Sequence, residues 1–207
     1  MSSRLLLATR NAKKLEELRR ILLRAGLGEI EVLGLADVEE FPEAPETGAT
    51  FEENALAKAH DAAKATGLPS VADDSGLGVD ALNGMPGVLS ARWAGAHGDD
   101  RANLELVLAQ LTDVPDERRG AAFVCAAAFV DPDVEEVVVR GEWRGRIIRE
   151  PRGTHGFGYD PIFVPDGEER TSAELDPAEK DSVSHRGRAL RALLPRLREF
   201  SSRSTGP

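Results

Sequence analysis

This chain of 207 residues has one cysteine, few aromatics, no long apolar run and fewer cations than anions. A single thiol, Cys125, cannot close an internal disulfide, so a reducing, cytoplasmic compartment is expected. It lies in an apolar stretch and reads as a small buried hydrophobe rather than a nucleophile. That stretch, Ala121–Val130, is the longest purely apolar run and has ten residues. A bilayer-spanning helix needs about 20. Leu5–Ala8 is too short for the apolar centre of a signal peptide, so no membrane or secretory segment is expected. With 26 Lys+Arg against 36 Asp+Glu the formal charge is −10, which argues against sequence-blind binding of a polyanion. No nucleic-acid partner is expected, although six arginines from Arg186 to Arg203 form a local basic stripe. A small anionic substrate stays compatible with this charge. There is no G-x-x-x-x-G-K-[ST], so a P-loop is excluded. No H-E-x-x-H or C-x-x-C is present, and His60, His97 and His155 lack metal-ligand spacing, which argues against zinc. What is present, 41% hydrophobic and 30% charged residues, is an ordinary globular mixture with enough apolar material for one or two lobes.

Hydrophobic periodicity organises the chain. Leu5–Ala8 reads as a strand, Leu15, Leu18, Ile21 and Leu22 as a helix ending at Gly26, and Glu29–Leu35 as a second strand. From Asp37 to Ala57 there are seven acids and no Lys or Arg, and Pro42, Pro45 and Gly48 keep the first half irregular. Thr50-Phe-Glu-Glu53 has capping-box spacing and opens a helix with a slim face of Ala55, Ala59, Ala62 and Ala63, closed by Gly67. Ser70–Ala72 is expected as a short strand and Leu77–Leu82 as another after a turn. Asn83–Gly98 reads as loop, and Asp99 or Asp100 caps a helix with the stripe Leu104, Val107, Leu108, Leu111. Ala121–Asp131 and Val134–Arg146 form a hairpin through Asp131-Pro-Asp133. Pro161–Pro165 is strand-like, and Thr171-x-x-Glu174 and Asp176-Pro177 offer successive helix starts. A last helix from about Ser184 to Phe200 points Leu190, Leu193, Leu194 and Leu197 inward, with Pro195 predicting a bend near Arg191. Residues 1–200 are expected to form one domain and 201–207 a disordered tail. Crossovers mixed with hairpins predict a mixed sheet.

Four segments can carry chemistry. In Thr9-Arg10-Asn11-Ala12-Lys13-Lys14, lysines occupy a first helical turn, whose partial positive charge prefers anions. A phosphate held by free backbone N–H groups, the Thr9 hydroxyl, the Asn11 amide and an ammonium would resolve the conflict; the alternative is a solvated lysine pair with Asn11 as an ordinary cap. Asp73-Asp74-Ser75-Gly76 sits at a strand end, where adjacent carboxylates point to opposite sides, so one can face a cleft while the other braces a neighbour. Oxygen ligands without His or Cys suit Mg²⁺, with a second carboxylate from the acidic loop; an Asx-type turn with solvent-facing aspartates is the alternative. In Gly153–Pro161, glycines around Phe157 and Tyr159 permit close backbone approach and aromatic stacking on a nucleobase, or simply a tight turn with its aromatics in the core. Lys180 and Ser184-His185-Arg186 supply donors near the start of the last helix.

Together these segments resemble the Ham1/inosine triphosphate pyrophosphatase family, in its bacterial branch. The likeness runs from about Leu5 to Leu197 through Thr9-x-Asn11-x-x-Lys14, Glu46-Thr-Gly48, Glu53-Asn54, Ala72-Asp-Asp-Ser-Gly76, Pro86-Gly87, Phe157-Gly-Tyr-Asp-Pro161 and Ser184-His-Arg186, in that order. Arg10 and His155 stand where glycine is common, and Pro195 interrupts the last helix. The resemblance implies a two-lobed α/β fold with a long curved mixed sheet flanked by helices and a nucleotide cleft between the lobes, Mg²⁺ as cofactor, and a homodimer. It implies hydrolysis of noncanonical purine nucleoside triphosphates (ITP, dITP, XTP) to monophosphate and pyrophosphate. Asp74 would be the proton acceptor and, with Glu46, a metal ligand. Thr9, Arg10, Asn11, Ala12, Lys13 and Lys14 would hold the triphosphate, with Lys58 near the same charge. Ser75, Phe157, Gly158, Tyr159, Asp160, Lys180, His185 and Arg186 would bind the nucleoside. Two other readings are a catalytically silent nucleotide sensor and a Maf-type pyrophosphatase for modified pyrimidine nucleotides. Glu46, Asp74 and Lys14 together favour an enzyme, and the segments around Phe157 and His185 favour purines.

Overall fold

The structure, a computed structural model, describes residues 3–42, 45–132 and 134–204. Strands β1 (Arg4–Leu7), β2 (Glu31–Leu33) and β3 (Ser70–Val79) are parallel neighbours with β1 in the middle. Parallel strands need crossovers; helix α1 (Ala12–Arg24) leads from β1 to β2 and α2 (Phe51–Thr66) from β2 to β3. Strands β4 (Gly120–Asp131), β5 (Glu135–Ile147) and β6 (Phe163–Pro165) complete one six-stranded sheet, ordered β2-β1-β3-β4-β5-β6. β6 runs antiparallel to β5, with Val164 opposite Arg146, so the sheet is mixed, as the alternation of crossovers and hairpins predicts. Helices α3 (Asp100–Gln110), α4 (Pro177–Val183) and α5 (His185–Ser204) make up the rest. Among the described residues no helix is long and apolar enough to cross a membrane.

The chain folds as two compact units, residues 1–74, 125–141 and 186–207 forming the first and 75–124 and 142–185 the second. In the first, Leu5 and Leu7 pack with Leu18, Ile21, Leu22, Val71, Phe129, Leu190 and Leu193, while Leu6 packs with Leu33 and Ala62. Strand alternation separates the two faces. In the second, Leu77, Val79, Leu104, Val107, Phe123, Trp143 and Phe163 form the core. Arg119 is buried there and donates to the carbonyls of Leu111 at 2.6 Å and Ile147 at 2.9 Å.

Local chemistry explains the helix ends. Asn11 Oδ1 accepts from Lys13 N at 3.0 Å, Thr50 Oγ1 from Glu53 N at 3.1 Å, and Asp99 Oδ1 from Ala102 N at 3.0 Å. Gly67 closes α2 at φ +68°, a left-handed conformation that favours glycine.

Several sequence expectations are corrected. The two short strands at 70–72 and 77–82 are one continuous β3, buried along most of its length, followed by a 3₁₀ turn at Asp80–Leu82. The second strand is only Glu31–Leu33. Gly87–Arg92, within the expected loop, is 3₁₀. Thr171-x-x-Glu174 starts no helix: Glu174 Oε2 accepts from Thr171 N at 2.7 Å and closes a turn. Helix α5 continues through Ser204 with Pro195 inside it, so residues 201–204, expected in the tail, form its last turn. Residues 205–207 of that tail, Glu43 of the acidic loop and Asp133 of the hairpin lie outside the described residues.

Candidate active site

The first unit gathers a cluster of charges at the middle of β3. Asp73 and Asp74 follow each other in the strand and turn to opposite sides, and their partners differ. Asp73 Oδ2 accepts from Lys14 Nζ of α1 at 2.8 Å and from Arg186 Nε of α5 at 3.2 Å. Arg186 Nη1 also lies 3.5 Å from Glu17 Oε2, and both residues are buried. Burial alone favours the neutral acid at Asp73, but the charges of Lys14 and Arg186 outweigh it and hold this carboxyl well below the ordinary range. Cys125 Sγ lies 3.9 Å from the same oxygen; burial and the Asp73 charge push its thiol up, so it is an inert core group.

Asp74 meets α2 instead. Its Oδ2 accepts from Asn54 Nδ2 at 3.0 Å and its Oδ1 from Lys58 Nζ at 3.2 Å. Lys58 Nζ also donates to Glu46 Oε1 at 2.6 Å and to the main-chain oxygen of Asp73 at 3.2 Å. Asn54 Oδ1 accepts from Gly48 N at 2.8 Å and so ties the loop carrying Glu46 to the helix. The Asp74 carboxyl is shifted up: burial raises it, Lys58 and Asn54 oppose, and Glu46 raises it further. Glu46 and Asp74 thus converge on one ammonium. Two carboxylates without His or Cys are a donor set for a hard divalent cation that keeps most of its waters and takes its remaining ligands from phosphate.

The start of α1 carries further cations. Thr9 Oγ1 accepts from Asn11 N at 3.2 Å, and the first turn of α1 contains no acid. Lys13 and Ala12 are exposed. Arg10 is exposed as well, its guanidinium 3.8 Å from Glu40.

The second unit builds a different cluster around Asp160, which is buried at 2% exposure. Its carboxylate accepts from Lys180 Nζ, Ser172 Oγ and Phe157 N, the last at 2.9 Å. The turn needs glycine: Gly156 has φ +79°, and a side chain there would run into the Asp160 carboxylate. Asp100, in the first turn of α3, accepts from Gly158 N at 2.8 Å. Phe157 is 42% exposed, with Lys180 Nζ 5.4 Å from its ring centroid. Tyr159 points the other way; it is buried and its hydroxyl donates to the Ser90 carbonyl at 2.8 Å. His185 stacks on Phe123 with centroids 4.9 Å apart and planes 14° from parallel.

The structure therefore divides the residues singled out by sequence. Glu46, Lys58 and Asp74 come together, as do Lys14, Asp73 and Arg186. Phe157, Asp160 and Lys180 form a third group. Arg186, grouped by sequence with Lys180 and His185, instead places its guanidinium on Asp73 and Glu17. Tyr159, grouped with Phe157 as a stacking surface, is a core residue, as the tight-turn reading of that loop expects, whereas Phe157 is exposed. Ser75 follows Asp74 in β3, half-buried. Sequence reasoning gave no role to Asn54, quoted only within Glu53-Asn54, or to Glu17. Their signal was a polar residue on an apolar helical stripe: Asn54 and Lys58 share the face of Ala55, Ala59 and Ala62, and Glu17 lies beside Leu18 and Ile21.

Comparison with known proteins places these clusters in context. A model of the Ham1 family matches residues 5–196. A dITP/XTP pyrophosphatase of Nocardia farcinica is 68% identical over 202 residues, covering 98% of this chain and 98% of that protein. A Mycobacterium tuberculosis protein of the same name is 68% identical, covering 97% and 98%. Among solved structures, a nucleoside-triphosphatase / dITP/XTP pyrophosphatase from Mycobacterium abscessus superposes with a TM-score of 0.76 at 66% identity, covering 93% of this chain and 99% of that one. A HAM1 protein from Coxiella burnetii gives 0.85 at 45% identity, covering 95% and 99%.

Proposed function

The chain belongs to the Ham1 family, and on that premise we propose that it hydrolyses noncanonical purine nucleoside triphosphates (ITP, dITP and XTP) to the monophosphate and pyrophosphate. The observation that carries this reading is the division between two adjacent aspartates. Asp73 is saturated by Lys14 and Arg186 and held ionised, whereas Asp74 is oriented by Asn54 and has its proton affinity raised by burial and by Glu46. A carboxylate of raised proton affinity, fixed in place, is what a general base requires.

Asp74 accepts a proton from water while the water oxygen bonds to the α-phosphorus. The bond from that phosphorus to the α,β-bridging oxygen breaks, and pyrophosphate leaves with the electron pair. Glu46 and Asp74 would hold Mg²⁺, which supplies withdrawal of charge from the phosphate oxygens. The Thr9–Lys14 segment binds the triphosphate through backbone N–H groups and the exposed cations Arg10 and Lys13. Lys180 and His185 serve base recognition: donors match the 6-oxo group of inosine and xanthosine and oppose the 6-amino donor of adenine. Phe157 offers a ring face to the base. Arg186 holds Asp73, and Tyr159 supports the loop. The family resemblance also supports a cytoplasmic location and a homodimer, the latter tested by sedimentation of the purified protein.

The experiment is incubation of the purified chain with ITP, with and without Mg²⁺, with pyrophosphate and orthophosphate assayed separately. The expected result is Mg²⁺-dependent pyrophosphate together with IMP. Orthophosphate alone would mean that a different bond is cleaved, and tight ITP binding without product would favour the silent-sensor reading.

A further inference from the structure

Lys58 Nζ lies 2.6 Å from Glu46 Oε1, 3.2 Å from Asp74 Oδ1 and 3.2 Å from the Asp73 main-chain oxygen. An ammonium has three N–H donors and no acceptor, so these contacts engage all of them. Two acids drawn together without a counter-charge repel, and a cation between them removes that cost. The residues that would hold a divalent ion therefore already share a counter-charge from within the chain. The ion and the ammonium draw on the same two carboxylates. Lys14 has a different attachment, 2.8 Å from Asp73 Oδ2. We propose that Lys58 is a placeholder cation, holding Glu46 and Asp74 together until a divalent metal displaces it, and that displacement frees its ammonium for the phosphates of the substrate. This makes Lys58 a positioning residue, and it rests on the assignment of Glu46 and Asp74 as metal carboxylates.

Mn²⁺ takes the same oxygen ligands as Mg²⁺ and can be counted by electron paramagnetic resonance. Its binding is measured without nucleotide on the wild type, Lys58→Gln, Lys58→Met, Lys14→Gln and Glu46→Gln. Removing the competing ammonium should tighten Mn²⁺ about five- to tenfold in both Lys58 variants, and Lys14→Gln, which removes equal charge from the adjacent aspartate, should change it by less than about twofold. In thermal melts Lys58→Gln should fall below the wild type in EDTA and regain stability with Mn²⁺ more than the wild type does. On the wild type itself, acetylation of Lys58 followed by mass spectrometry should be slow in EDTA and faster with saturating Mn²⁺. Equal or weaker metal binding in the Lys58 variants, equal tightening in Lys14→Gln, or labelling unchanged by metal overturns the placeholder role. Glu46→Gln separates the two levels. If it leaves Mn²⁺ binding intact, the metal assignment itself falls; if it weakens binding while Lys58→Gln does not strengthen it, only the placeholder role falls.

Discussion

Asp73 and Asp74 differ by one position in β3, which turns one carboxylate toward Lys14 and Arg186 and the other toward Asn54 and Lys58. The same substitution at each should therefore fail in different ways. Asp74→Asn keeps the shape and the acceptor for Asn54 but cannot take a proton; kcat with ITP at saturating Mg²⁺ should fall about 10²- to 10⁴-fold, the usual worth of a general base, while the variant still binds nucleotide. Asp73→Asn takes the carboxylate charge from Lys14 and from the buried Arg186, whose guanidinium then keeps Glu17 at 3.5 Å. Breaking a buried ion pair costs about 3 kcal/mol or more, which chemical denaturation of the variant should register. A large kcat loss with full stability in Asp73→Asn, or retained turnover in Asp74→Asn, would reverse the two roles. At this scale the chemistry-bearing residues were legible as motifs. Their assignment was less so: adjacency predicted that one aspartate braces, but not that Arg186, 113 positions away, would be what it braces against.

Helix boundaries follow from local chemistry, since a cap is satisfied within three or four residues. Asn11, Thr50 and Asp99 were all readable as caps, and each accepts the N–H its type predicts. Strand β3 was harder to delimit because the acids and glycine in Asp73-Asp74-Ser75-Gly76 look like a turn. In the sheet β3 lies between β1, which pairs with it at Ser70 and Val71, and β4, and it stays extended through these residues. Helix α5 poses the opposite conflict, a local breaker overruled by packing. Leu190, Leu193 and Leu197 are all buried, which anchors the helix on both sides of Pro195. Proline has no N–H to give to the carbonyl of Arg191. Because Pro195 is itself exposed, Pro195→Ala should disturb no packing and should raise the unfolding free energy by about 1–3 kcal/mol. Urea titration of the pair measures this; an unchanged midpoint would mean that the helix absorbs the proline without cost.

The optical residues are unevenly placed across the molecule. Trp93, Trp143 and Tyr159, the whole complement of Trp and Tyr, fall in the second unit. Tyr159 is the only tyrosine, so absorbance near 295 nm during alkaline titration reports one phenol. Burial, and secondarily the Asp100 charge, push its ionisation up from the ordinary value. A phenol whose folded-state pKa is raised contributes stability that is complete below about pH 10, its unfolded value, and is lost as pH rises toward the folded value. The phenol should therefore stay neutral past pH 10 and ionise together with loss of the circular-dichroism signal. Tyr159→Phe should lose less stability over the same range. Ionisation near pH 10 in a folded protein would contradict its burial. Composition, element types, caps and the mixed sheet were legible without coordinates, because each depends on neighbours a few residues apart and on a period of 2 or 3.6. Which cation meets which carboxylate was not. With 26 cations and 36 anions, pairing is degenerate in one dimension. Folding selects Lys14 for Asp73 across 59 positions and Lys58 for Asp74 across 16, because burial excludes water around those few groups and leaves the partners folded against them to replace it.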